Sequence, residues 1–182
     1  MFLPDGRSGP VLVDESFIDF TNLGSSIAQG DIVLRSLTKI HALPGLRVGA
    51  VTGPGELIRR WREQREPWQL NVMAEAAVLV SLSDPEYVKR TREYVAAERT
   101  RLWPLLAQLP GVNAIPACAN FYFVKLRYPA STFCAYMLER KILLRNCTGW
   151  IGVEGEAVRF AIRTTEENDR LMELWRNFDC ES

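Results

Sequence analysis

Apolar side chains fall into short bursts, and polar residues punctuate them at informative places. Val11-Leu12-Val13 follows Gly9-Pro10 and runs into Asp14 and Glu15, the pattern of a short buried strand that delivers a carboxylate at its C-terminal end. Ile32-Val33-Leu34 leads into Arg35-Ser36-Leu37-Thr38-Lys39. Val48 to Val51 follows Pro44-Gly45-Leu46-Arg47. These three bursts read as neighbouring strands of one sheet.

The period then changes. Leu57, Ile58 and Trp61, set among arginines and glutamates, predict an amphipathic helix from Gly55 to about Gln64, interrupted at Pro67. Asn71 to Leu82 reads as an alanine-rich helix. Asp84-Pro85-Glu86 offers an N-cap with proline at the first helical position, and a stripe through Val88, Val95 and Leu102 carries a long helix to about Leu109. After the Pro110-Gly111 break the texture is that of a small α+β unit. It reads as a strand over Asn120–Leu126, a helix over Ser131–Arg140, strands over Ile142–Arg145 and Val158–Ile162, and a final helix opening at Thr165, whose hydroxyl suits capping, with Glu166 and Glu167 suited to its dipole. There is no internal repeat. The expected organisation is α/β, with residues 1–82 part of a larger domain, 83–109 a connecting helix and 110–182 a small C-terminal α+β domain.

Composition narrows the function classes. Of the 182 residues 47% are hydrophobic and 24% charged, enough for a packed core. Twenty-two basic and 22 acidic residues cancel, so no electrostatic footprint points to nucleic acid or to an anionic membrane surface. The four cysteines, Cys118, Cys134, Cys147 and Cys180, form no C-x-x-C pair, and with a single histidine no metal site is expected. No window is long and apolar enough for a membrane span, and the start lacks a basic leader, so a cytoplasmic protein is expected.

The densest polar cluster is Ser36-Leu37-Thr38-Lys39, followed eight residues after the lysine by Arg47. Two hydroxyls and a forked guanidinium are what a bound phosphate monoester requires, and a partly desolvated lysine in a positive field becomes nucleophilic toward aldehydes. Phosphate and aldehyde together describe pyridoxal 5′-phosphate. Taken singly, each residue has a plainer role: a surface lysine, a turn aspartate, an ion-pairing arginine. The strands placed before Asp14 and before Ser36, with the fixed lysine-to-arginine spacing, favour the cofactor reading.

S-x-T-K followed by P-G-L-R-x-G, with D-E-S-F upstream, resembles the fold-type I aminotransferase superfamily of pyridoxal-phosphate enzymes, in its histidinol-phosphate aminotransferase-like branch. The resemblance implies the C-terminal portion of that fold, part of the large-domain sheet plus the small domain. It implies Lys39 as the Schiff-base lysine, Ser36, Thr38 and Arg47 around the cofactor phosphate, and Asp14 on the pyridine nitrogen. It also implies Arg145 in ILLRNC and Arg159 in VRFAIRTTEEN as the grip on the acidic groups of a phosphorylated amino-acid substrate, and a homodimer. Glu66-Pro67-Trp68-Gln69-Leu70-Asn71 and Asp14 to Phe20 are most similar to the threonine-phosphate decarboxylases of cobalamin biosynthesis; an aminotransferase acting on histidinol phosphate is the alternative. Phe17 stands where many relatives have a tyrosine that touches the cofactor's phenolic oxygen. Arg163 stands where many have glycine, on the same strand face as Arg159 if the strand continues to it, as a phosphate ligand or an ion-pair former. Trp68 and Asn71 would line the substrate pocket, and His41 is read as structural.

The resemblance runs over almost all of this chain but only the second half of the family's. A fragment is therefore expected, with a missing N-terminal half and an unpaired apolar sheet edge. A non-catalytic remnant serving as an interaction module is a further alternative.

Overall fold

A computed structural model describes residues 11–25 and 31–178. The chain divides into two compact units, Met1–Arg92 and Glu93–Ser182.

In the first unit three short strands form one sheet in the order β1 (Leu12–Asp14), β2 (Ile32–Arg35), β3 (Ala50–Thr52). β1 and β2 run parallel, with Val13 beside Val33 and Asp14 beside Leu34, and β3 returns antiparallel to β2. Val13 and Val33 are fully buried. Parallel pairing brings the C-terminal ends of β1 and β2 to one edge, where ligands gather in open α/β sheets. That edge carries Asp14 on β1 and, just beyond β2, the single turn of helix α1 (Leu37–Ile40). Arg35 locks the corner by donating to the buried Glu15 carboxylate at 3.0 Å and to Asp19 at 2.9 Å. β1 and β3 are the edge strands among the described residues, and Leu12 and Val51 are exposed on them, as the expected apolar edge requires.

The helices of this unit follow the predicted periodicity. Helix α2 (Gly55–Glu63) is held on its outer face by Arg59 and Arg60 pairing with Glu56. Helix α3 (Val72–Leu82) is capped by the Asn71 side chain, which accepts from the Ala74 amide at 2.9 Å. Of α3 only Ala74 is buried, while Val72, Met73, Leu79, Val80 and Leu82 face outward. Helix α4 (Pro85–Ala107) starts at the predicted cap, where Asp84 accepts from the Tyr87 amide at 2.9 Å.

In the second unit four strands, β4 (Val112–Ala114), β5 (Phe121–Leu126), β6 (Arg145–Asn146) and β7 (Glu156–Ala161), form an antiparallel sheet in the order β4-β5-β7-β6. Strict alternation on β5 sends Tyr122, Val124 and Leu126 into the core and leaves Phe121, Phe123 and Lys125 on the opposite face. The core is completed by helices α5 (Ala130–Glu139) and α6 (Thr165–Arg176). Phe133 and Trp175 meet at 4.6 Å between ring centres, and the Trp175 indole donates to the buried Tyr128 hydroxyl at 2.7 Å.

Two boundaries differ from the sequence reading. The segment expected as a strand from Ile142 is mostly the exit of α5: Ile142 N–H closes on the Met137 carbonyl at 2.9 Å, so pairing starts only at Arg145. The cap of α6 is Thr164, not Thr165. Thr164 Oγ1 accepts from the Glu167 amide while the Glu167 carboxylate accepts from the Thr164 amide, a complete capping box. Thr165 instead donates to the buried Glu98 at 3.0 Å. Among the described residues no helix is long and apolar enough to cross a membrane. Cys118, Cys134 and Cys147 are free thiols; Cys180 lies outside the described residues.

Candidate active site

The first unit places Asp14, Ser36, Thr38 and Lys39 at the shared end of β1 and β2, and Arg47 in the turn that leads into β3. Asp14 ends β1 and lies at the surface. Its carboxylate is held below the usual carboxylate range first by hydrogen bonding from the Ser16 side chain, then by the Ser16 backbone N–H at 2.8 Å, with the Lys39 charge assisting against desolvation. Asp14 is therefore charged, as a partner for a protonated ring nitrogen must be.

Ser36 is the extended residue before α1, and its Oγ lies 3.0 Å from Thr38 Oγ1. Thr38 is buried, which fixes its rotamer, whereas Lys39 points outward with its Nζ 5.7 Å from the centre of the Phe17 ring. An aromatic face steadies an ammonium without neutralising it and without offering a proton.

Arg47 follows the 3-10 turn Pro44–Leu46 in a left-handed conformation (φ 50°, ψ 50°), a costly backbone for a side chain of this size. Its guanidinium donates to the Pro44 carbonyl at 3.3 Å and forms no ion pair among the described residues. Gly49 explains the motif's last position, since a Cβ there would stand 2.9 Å from the Arg35 carbonyl oxygen of β2. The chain comes this close where β3 begins its pairing with β2, Ala50 beside Arg35. Two adjacent hydroxyls, an arginine without an acid and an accessible amine fit a phosphate-bearing aldehyde, and so fit pyridoxal 5′-phosphate.

The second unit brings the other two candidates together. Arg145 on β6 and Arg159 on β7 are directly opposed in the ladder, and Phe123 on β5 lies opposite Arg159 from the other side. Like charges directly opposite each other repel, and neither arginine has a carboxylate partner among the described residues. The Arg159 guanidinium rests on the Phe121 ring, 4.9 Å from its centre. A pair of uncompensated, planar cations on an open sheet face is suited to a substrate with two acidic groups.

Phe121 escaped the sequence reading because its role depends on the β5–β7 register; its place in an alternating strand was the only available signal. Arg163 lies beyond the end of β7, and its guanidinium pairs with Glu167 at 2.8 Å, so the ion-pair reading holds. Trp68, expected at a pocket, is 95% exposed, and Asn71 serves as the α3 cap. His41 Nδ1 is buried without a hydrogen-bond partner.

A strand-end aspartate, two neighbouring hydroxyls, an arginine and an exposed lysine on a mixed sheet, in a chain that also folds a four-stranded antiparallel unit, fit a pyridoxal-phosphate enzyme of the aminotransferase fold. The family model for aminotransferase class I and II matches residues 3–174, and the chain belongs to that family of pyridoxal-phosphate-dependent enzymes. It is 34% identical over 174 residues to threonine-phosphate decarboxylase of Salmonella typhimurium, covering 92% of this chain and 48% of the relative. It is 30% identical to histidinol-phosphate aminotransferase of Chlorobaculum tepidum, covering 90% and 48%. The crystal structure of histidinol-phosphate aminotransferase from Clostridium acetobutylicum superposes with a TM-score of 0.86 at 26% identity, over 93% of this chain and 54% of that one. The chain spans about half the length of the curated relatives it matches.

Proposed function

We propose that this chain carries the lysine-bearing half of a cytoplasmic enzyme that decarboxylates L-threonine O-3-phosphate to (R)-1-amino-2-propanol O-2-phosphate, a step of cobalamin biosynthesis. The observation that carries the reading is the opposed, acid-free pair Arg145 and Arg159, in a chain whose 34%-identical relative is a threonine-phosphate decarboxylase. One arginine would take the substrate phosphate and the other its carboxylate, orienting the Cα–carboxylate bond for cleavage.

Ser36, Thr38 and Arg47 would hold the cofactor phosphate, and Asp14 its ring nitrogen. When bound, pyridoxal 5′-phosphate supplies the electron sink that makes loss of carbon dioxide feasible. Lys39 would tether the cofactor and return a proton to Cα. Phe17 beneath Lys39 has no hydroxyl, so that side of the site supplies no hydrogen bond to the cofactor's phenolic oxygen. The working enzyme on this reading is a homodimer completed by the other half of the family's fold, which would cover the apolar face of α3.

The likeness to histidinol-phosphate aminotransferases supports a second reading, amino-group transfer with the same residues. Supplying the purified chain with pyridoxal phosphate and L-threonine O-3-phosphate separates the two. Release of carbon dioxide without a keto-acid acceptor is expected, and glutamate-dependent amino transfer without decarboxylation would replace the first reading by the second. Absence of both, with no cofactor bound, would leave an interaction module.

A further inference from the structure

Within the second unit the end of β7, the start of α6 and the segment Lys141–Leu144 line an open cavity of about 410 Å³, the size of a small organic ligand. It lies away from the substrate arginines. Neither Arg145 nor Arg159 lines it, and Phe160, which does, alternates with Arg159 along β7 and packs on the helix-covered face against Trp175.

Its rim is cationic. Lys141, Arg163 and Arg170 line it against the single carboxylate of Glu167. Glu167 is already committed to Arg163 and to the Thr164 amide at the α6 cap. Lys141 and Arg170 form no ion pair among the described residues, and Arg170 donates one guanidinium nitrogen to the Arg140 carbonyl at 2.7 Å. Two cations are thus left uncompensated. The inner wall is apolar, formed by the buried Leu144, Phe160 and Leu171.

Lys141 adds an independent observation. It follows α5 with φ 65°, the left-handed position where helix ends favour glycine, and its amide closes on the Leu138 carbonyl at 2.9 Å. The fold alone is served better by glycine there, so a lysine at the mouth of a cavity points to a use for its charge.

We propose that this cavity is a second anion site, taking a small organic anion whose apolar body enters between Leu144, Phe160 and Leu171 while its charge meets Lys141 and Arg170. The test is amide-resolved NMR titration of the chain with phenyl phosphate, with inorganic phosphate and phenol as separate arms. Saturable shifts at residues 141–144 and 167–171 are expected with phenyl phosphate, and binding weaker by about fivefold or more with either half-probe. Lys141→Gly is expected to weaken binding by about fivefold while leaving the melting temperature unchanged or raised, because glycine suits the backbone. Arg170→Gln should weaken it similarly, and Arg159→Ala should leave it unchanged. Shifts confined to residues around Arg145 and Arg159, full-strength binding by Lys141→Gly, or inorganic phosphate binding as tightly as phenyl phosphate would each overturn the proposal.

Discussion

Lys39 and Arg159 each rest a cation on a phenylalanine ring, Phe17 and Phe121, rather than on a carboxylate. A carboxylate would neutralise the charge; a ring orients it and leaves it available to an incoming anion. Replacing Arg145 or Arg159 by alanine in the working enzyme should cost about 1.5–3 kcal/mol of transition-state binding, roughly a 10- to 150-fold fall in kcat/KM. Phe121→Leu should cost less, about 0.5–1 kcal/mol, expressed mainly in KM because the cation is loosened and not removed. Lys39→Ala should abolish the borohydride-trapped cofactor adduct and the absorbance near the visible edge, measurable without any turnover. The candidate cofactor residues Ser36, Thr38, Lys39 and Arg47 could be grouped from the sequence because they are local to one another. The rings were not, since Phe121 reaches Arg159 only through strand pairing.

Glu98 shows the same contrast among elements. It sits on α4, buried, and accepts from Arg101, from Thr165 and, at 2.7 Å, from Asn168 on α6. These donors, Arg101 foremost, pull its carboxyl down to about 2 from 4.5. The folded value is depressed, so the stabilisation is complete above about 4.5 and is lost as pH falls toward about 2. Glu98→Gln should lower stability by about 2 kcal/mol at neutral pH and flatten the decline through that acid window, both readable from urea midpoints measured against pH. The helices and β5 were visible as periodicity, and Asp84 as a cap. Strand β4 was not, and β6 was expected over Ile142–Arg145 instead of Arg145–Asn146, because both take their limits from pairing with β5 and β7. Thr165 was mistaken for a cap for a related reason: two adjacent threonines are locally equivalent, and only Glu98, distant in sequence, distinguishes them.

At the scale of the molecule the charge is balanced but the apolar surface is not. Leu79 is 65% exposed and Val80 71%, on a helix that also exposes Val72, Met73 and Leu82. Such a face favours association. The double substitution Leu79→Glu, Val80→Glu should leave the unfolding free energy of the chain unchanged within about 0.5 kcal/mol, because neither side chain is buried, while suppressing concentration-dependent light scattering. Loss of the fold instead would show that the face is packed within this chain. That helix also sets how the protein responds to abundance. A partner that covers α3 and binds only the folded form would add RT ln(1 + [L]/Kd) to its stability, so the lifetime of the chain would rise and fall with the supply of that partner.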